Sequence, residues 1–353
     1  MKILIISPLS HPTPPAGYGG VERFVHNLAQ QLTASGNEVL LVRKRGSKGG
    51  AYLSKNINDD KLVSCVKTAV KKFQPDIIHV NLKDPSLFNY LNILTVPVVI
   101  TIHNNVRKDS SYVNIIKNSP PHFHFTAISR SLKNRIIQAL KFNHVPTTQN
   151  QVVNTGYGLN LDEIQKKAKQ FSRDFYLYLG VIARYKAVYH IAAAFTQIDQ
   201  NLLLVGPCHA AGEIPYFNRI LALSRQYPNI THYGATQTEA EKVNLIARSK
   251  GLIIATGYDK KESDCHEAFG LVMLEANALG KPVIGYAQGN IKDYIQDGVN
   301  GYKFSHTSQI NSIINHLDRQ NLTTACLNWA QKYDISQVSK NYLNLFTQIA
   351  KSG

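Results

Sequence analysis

Two carboxylates stand eight residues apart in the stretch HEAFGLVMLEANALGKPVIGYAQGN, His266 to Asn290. Glu267 precedes an apolar run expected to be helical from Phe269 to Leu279, and Glu275 falls inside it, four residues after Leu271. Residues four and eight apart share a helix face, so both acids are expected to border one cavity, while Val272, Ala276 and Leu279 pack on a sheet. An ionised carboxylate offers only acceptors, which suits the hydroxyls of a sugar or a ribose. Between the acids, the amides of Phe269, Gly270 and Leu271 are expected in the first helical turn. There N–H groups lack intrahelical partners and the helix dipole favours an anion. Gly270 lets the backbone approach that anion closely. Two acids around a helix start that suits a diphosphate form an arrangement expected to hold a sugar nucleotide.

The run E-A-F-G-L-V-x-L-E-A-x-A-x-G-K-P-V-I, continued by Gly289, Asp293, Asp297, Gly298 and Gly301, resembles the donor-site signature of the retaining GT-B glycosyltransferases of family 4, glycosyl transferases group 1. The resemblance implies that Glu275 binds the ribose and Glu267 the transferred sugar. It extends to LGVIARYKA, ending at Ala187, which is similar to the family's G-R-x-x-x-x-K-G and gives Lys186 the donor diphosphate and the charge of the leaving nucleotide. Two positions depart from that pattern. Val181 stands where the family has arginine and Ala187 where it has glycine, so Arg184 is expected to supply the second cation. By the same resemblance Gly234, in Tyr233-Gly234-Ala235-Thr236, lies against the nucleobase, and Gly19 and Gly20 form the glycine loop near the phosphates and acceptor. His103 faces the donor sugar; His79 and Ser129 are read as cleft-wall or structural. No supported D-x-D pair is present, and His122 and His124 lack partner ligands, so neither a metal nor a cofactor is expected.

These residues need rigid strands behind them. KILIIS, EVLLV, DIIHV, PVVITIH and FTAIS are short apolar runs, as in strands covered on both faces. After the first comes Gly17-Tyr18-Gly19-Gly20 and then a helix with Val21, Phe24, Val25, Leu28 and Leu32 on one face. FYLYLG, NLLLVG, NITHYG, GLIIAT, KPVIGY and the shorter GYKF repeat the scheme. The reading is α/β: two Rossmann-like, doubly wound parallel-sheet domains. The GT-B resemblance sets them facing across a cleft. The expected boundaries are 1–155 for the acceptor-side domain, 156–333 for the nucleotide-sugar domain, and 334–353 for a helix crossing back to the first. In the linker VVNTGYGLNLDEIQ, Gly156 and Gly158 are expected to give hinge freedom. In the last helix Val338, Tyr342, Leu345 and Ile349 are expected on one face.

Composition narrows the partners. At 353 residues and 44% hydrophobic the chain suits two domains, with no apolar run long enough to span a bilayer and no signal-peptide pattern. Cys65, Cys208, Cys265 and Cys326 show no C-x-x-C spacing. A cytoplasmic protein is expected, peripheral on the inner membrane face if its basic surface meets lipid. The net charge is +16; residues 1–155 hold 19 Lys and Arg against 7 Asp and Glu, residues 156–353 hold 20 against 16. Arg43-Lys44-Arg45, Lys71-Lys72 and Arg107-Lys108 therefore suit anionic headgroups or a phosphorylated, lipid-linked acceptor, or are simply a soluble basic surface. Nucleic acid is not expected, because no recognition motif accompanies the charge. The leading expectation is a hexosyltransferase that moves sugar from a nucleotide-sugar donor to a hydroxyl acceptor in polysaccharide or glycoconjugate synthesis. Two alternatives stand beside it. One is a nucleotide-sugar-binding protein with weak transfer; the other is an NADP-dependent oxidoreductase, with Arg43 and Arg45 reading a 2′-phosphate.

Overall fold

Among the described residues thirteen short strands, most of them rich in Val, Ile and Leu, form two wholly parallel sheets, because runs such as Val98–Ile102, buried at every position, can only lie between two helical layers. The computed structural model describes residues 1–17, 19–107, 110–146, 152–169, 171–172, 174–259 and 265–352. Tyr18 of the expected glycine loop and Lys108 of the basic clusters lie outside the described residues.

The chain divides into two units, Met1–Asn160 with Tyr333–Gly353, and Leu161–Lys332. In the first, β1 (Lys2–Ile6), β2 (Glu38–Lys44), β3 (Leu53–Ile57), β4 (Ile77–Val80), β5 (Val98–Ile102), β6 (Phe123–Ala127) and β7 (Val152–Asn154) are ordered 3-2-1-4-5-6-7. In the second, β8 (Phe175–Leu179), β9 (Leu202–Val205), β10 (Ile230–Gly234), β11 (Ser249–Ile254), β12 (Val283–Tyr286) and β13 (Gly301–Phe304) are ordered 10-9-8-11-12-13. The order reverses between β1 and β4 and between β8 and β11. At such switch points adjacent loops part and leave a crevice at the carboxyl ends of the strands.

Strands β3 and β7 are additions to the sequence reading. Leu53 to Lys55 are exposed on an edge strand and carry no hydrophobic pattern, and β7 is three residues inside the expected linker. The rest of that linker is anchored rather than free. A Cβ at Gly158 would lie 2.6 Å from the Tyr333 carbonyl, and Ile335 N–H donates to Leu159 O at 2.9 Å, so outgoing and returning segments run side by side within the first unit. The helix Ile335–Ser352 packs on this unit through Tyr342 and Phe346; Phe346 is buried where Leu345 was expected to be.

Arg43 also departs from expectation. It is buried, and its guanidinium donates to Asn56 Oδ1, Ser54 Oγ, Tyr52 Oη and the carbonyls of Thr13 and Gly49 at 2.8–3.2 Å. With its donors engaged by neutral acceptors it clamps the β1 loop from inside and is not available to read a 2′-phosphate or meet a membrane.

Candidate active site

In the second unit, the crevice between β8 and β11 collects the expected charges. After β8 the chain makes a single 3₁₀ turn, Arg184–Lys186, and Ala187 follows with φ 54° and ψ 32°. Ala187 thus adopts the left-handed conformation that the family's glycine would take freely, at a cost of about 1 kcal/mol for its Cβ. Gly257 N–H, after β11, donates to the Tyr185 carbonyl at 2.8 Å and ties the two loops together. Lys186 Nζ then lies 2.6 Å from Glu267 Oε2, which also accepts from Thr256 Oγ1 at 3.0 Å.

This ion pair is largely shielded from solvent, with side-chain exposures of 18% and 16%. Burial alone pushes Glu267 upward. The adjacent Lys186 ammonium and the hydrogen bonds from Lys186 and Thr256 outweigh it and hold the carboxyl below its usual range. Glu267 is therefore an ionised acceptor, and Lys186 a cation already placed at the switch point.

Arg184 does not join them. Its guanidinium lies over the Tyr216 ring at 5.3 Å, and its backbone N–H donates to Glu213 Oε2 at 3.0 Å. In a 3₁₀ turn residues two apart point about 240° round the axis from each other, so a loop that aims Lys186 at Glu267 aims Arg184 elsewhere. Val181, which the sequence resemblance aligns with the family's arginine, accepts from Tyr178 Oη at 2.7 Å through its carbonyl.

The two glutamates likewise part company. The helix runs Leu271–Ala278, shorter than expected, because Gly270 takes φ 85° and caps it in the left-handed region. Phe269 and Gly270 precede the helix rather than form its first turn; Phe269 O accepts from Asn290 Nδ2 at 2.7 Å. The first-turn amides belong to Leu271 and the residues after it. Glu275 is 4% exposed in a helix buried nearly all round, and its Oε1 pairs with Lys242 Nζ at 2.6 Å; Lys242 also meets Glu239 at 3.0 Å. Glu267 and Glu275 thus pair with different cations. Lys242 and Thr256 were not anticipated: Lys242 looks like an ordinary i,i+3 partner of Glu239, and Thr256 like a strand end. Gly234 closes β10 with φ 91°, and its carbonyl accepts Gly206 N–H at 2.8 Å.

The first unit has its own cluster at the β1/β4 switch. Gly19, with φ 142°, caps the helix Gly20–Ala34 without a side-chain hydrogen bond, and a Cβ there would lie 2.8 Å from Pro15 Cβ. Gly20 O accepts from Tyr157 Oη at 3.2 Å. His103, after β5, is buried against Phe24 and Tyr157, and its Nε2 lies 2.9 Å from Asn81 Oδ1. His79 is fully buried beneath Tyr342 and Phe346 with Nε2 on Thr101 Oγ1 at 2.8 Å, a structural position. Ser129 caps the helix Arg130–Phe142 by accepting from Leu132 N–H at 3.1 Å. Among the described residues no group of three His, Cys, Asp or Glu is placed to hold a metal ion, and no helix is long and apolar enough to cross a membrane.

Burial lowers His79 to about 3, with His103 adding to the effect, and lowers His103 to about 3. Unfolded histidine titrates near 6.5, so between about 6.5 and 3 the unfolded chain binds protons that the native chain does not. Stability is therefore lost as pH falls through that window. Each histidine should contribute a loss of about 2 kcal/mol between pH 7 and pH 5. Denaturant unfolding at both pH values checks this: His79→Asn should remove about half of the combined loss, and an unchanged loss would assign it elsewhere.

Residues 161–322 match the family model described as Glycosyl transferases group 1, and residues 18–156 the one described as Glycosyltransferase Family 4. The chain is 28% identical over 262 residues to N-acetyl-alpha-D-glucosaminyl L-malate synthase of Bacillus anthracis, covering 68% of this chain and 64% of that relative. It is 27% identical over 151 residues to lipopolysaccharide 1,2-N-acetylglucosaminetransferase of Salmonella typhimurium (strain LT2), covering 40% and 38%. The chain thus spans less than two thirds of the length of either curated relative. The structure of Anabaena HepE in complex with UDP-glucose superposes with a TM-score of 0.70 at 19% identity, covering 99% of this chain and 100% of that one, a likeness of fold.

Proposed function

This chain belongs to the family 4 glycosyltransferases of the GT-B fold, and on that premise we propose that it transfers a sugar from a nucleotide-sugar donor to an acceptor hydroxyl with retention of anomeric configuration. The observation that carries the reading is the Lys186–Glu267–Thr256 cluster at the β8/β11 switch point. In this account Lys186 meets the donor diphosphate and stabilises the departing nucleotide, Glu267 accepts from hydroxyls of the transferred sugar, and Glu275 serves the ribose. Charge on the leaving group is met by the protein's own cation and first-turn amides, so the donor is held without a metal. Transfer proceeds on one face of the sugar: the leaving phosphate oxygen takes the acceptor proton as the new glycosidic bond forms, while the enzyme supplies positioning and positive charge.

The donor is a UDP-hexose, and UDP-N-acetylglucosamine is the first to test. Both curated relatives are named for N-acetylglucosaminyl transfer, and HepE was solved with UDP-glucose. Proton NMR of the product formed from an α-linked donor decides the stereochemistry: an α-linked product is expected, and a β-linked product would discard retention. The basic excess of residues 1–155 supports an anionic or lipid-linked acceptor and peripheral membrane contact. Co-sedimentation with anionic vesicles should then fall with added salt, and partitioning equal to that with neutral vesicles would discard this part.

A second reading, a donor-binding protein with little transfer, is favoured by one observation: with Val181 in place of the family arginine and Arg184 over Tyr216, Lys186 alone stands beside Glu267. Product formation measured beside nucleotide binding separates the two.

A further inference from the structure

The first unit holds a buried polar chain that runs from His103 through Asn81 to His79, Thr101 and Thr126. The orientation of Asn81 decides its direction. The Ile6 carbonyl, which can only accept, receives both the Asn81 N–H at 3.0 Å and the Asn81 Nδ2 at 3.4 Å. The amide nitrogen therefore faces Ile6 and His79 Nδ1, and the amide oxygen faces His103. An amide oxygen has no proton to give, so across the 2.9 Å contact His103 Nε2 must be the donor. A neutral imidazole carries a single N–H, which leaves Nδ1 with an unshared lone pair. That Nδ1 is buried and has no hydrogen-bond partner among the described residues, although buried polar atoms are normally satisfied.

We propose that Asn81 is a positioning residue: it fixes His103 in the Nε2–H tautomer and so reserves Nδ1 as a hydrogen-bond acceptor for a substrate hydroxyl. The inference rests on the transfer reading, since it needs a hydroxylated substrate, but its tautomer half stands on geometry alone. Asn81 also presents Nδ2 to His79 Nδ1 at 3.5 Å, which leaves His79 Nε2 to donate to Thr101. One amide thus sets both rings. The titratable groups around His103 are His79 on β4, Tyr157 beside its ring and, next to Tyr157, Glu22 on the helix Gly20–Ala34 and Tyr342 on the last helix. His103 and His79 are both held neutral by burial, which keeps the lone pair available over the working pH range.

The test begins with the unliganded wild-type protein, labelled with ¹⁵N-histidine and read by long-range ¹H–¹⁵N correlation, with His103→Gln used to assign the signal. Nε2 protonated and Nδ1 bare is the expected result; a protonated Nδ1 would overturn the proposal whatever the variants do. Asn81→Asp keeps an acceptor in place but adds a negative charge, which favours the imidazolium and turns Nδ1 into a donor as pH falls. With UDP-N-acetylglucosamine as donor, N81D should stay near wild-type turnover at the alkaline end and lose about 10-fold along an acid limb absent from the wild type. Asn81→Leu should lose about 10-fold at every pH, the scale of one hydrogen bond left unmade. An N81D profile parallel to the wild type would overturn the proposal. If the wild type releases no UDP from UDP-N-acetylglucosamine, the donor reading fails while the nitrogen spectrum still decides the tautomer.

Discussion

Lys186→Ala is expected to lower turnover by roughly 10²- to 10³-fold, the scale for losing one preorganised group that stabilises charge in the transition state. The structure concentrates the effect in this residue: Arg184 lies over Tyr216, Val181 carries no charge, and Lys186 holds its place through Glu267 and the Gly257–Tyr185 tie between loops. The substitution also strips the cation from a buried carboxylate, so Glu267 should rise from its depressed position and take up a proton at higher pH than in the wild type. Steady-state kinetics alongside thermal unfolding separates these consequences. A loss of turnover with a cooperative unfolding transition retained is predicted; turnover within a few-fold of wild type would remove Lys186 from the chemistry.

Glu267→Gln is expected to lower turnover by about 10²-fold while free nucleoside diphosphate binds no more weakly than to the wild type. The carboxylate competes with the diphosphate for the Lys186 ammonium, which it holds at 2.6 Å before any donor arrives. Neutralising it loosens that competitor and at the same time removes an ionised acceptor for sugar hydroxyls, whose charge-assisted hydrogen bonds are about twice as strong as neutral ones. Calorimetry with UDP and kinetics with the intact donor read the two effects apart. A loss of UDP affinity equal to the loss of turnover would place Glu267 on the nucleotide instead of the sugar.

The parts of this molecule legible in the sequence are those set by local pattern. Runs of four to seven residues marked eleven of the strands, and most of these are apolar because a strand buried on both faces has no polar alternation to hide it. Two loop motifs marked Lys186 and Glu267 as site residues after β8 and β11; that the two side chains pair is seen only in the structure. What escaped depends on distant partners or on φ. Lys242 reaches Glu275 from a helix 33 residues earlier in the chain, and no spacing rule connects them. Arg43 looked like a surface cation because its five acceptors come from two different loops and an edge strand. The helix start slipped from Phe269 to Leu271 because Gly270 could continue a helix or cap one, and only its φ of 85° decides. Position 187 shows the converse: the residue is alanine, yet its backbone adopts the left-handed conformation that favours glycine.

The second unit is expected to bind a sugar nucleotide with its diphosphate at Lys186. Thermal unfolding of the wild type and Lys186→Ala, side by side against UDP, GDP, ADP, CMP and dTDP with their sugar conjugates, tests it most directly. A ligand bound to the native state alone raises the transition in proportion to the logarithm of its concentration over Kd. One base should raise the wild-type transition and leave Lys186→Ala unmoved at the same concentration. No response to any nucleotide, or the same response in both proteins, would contradict the account.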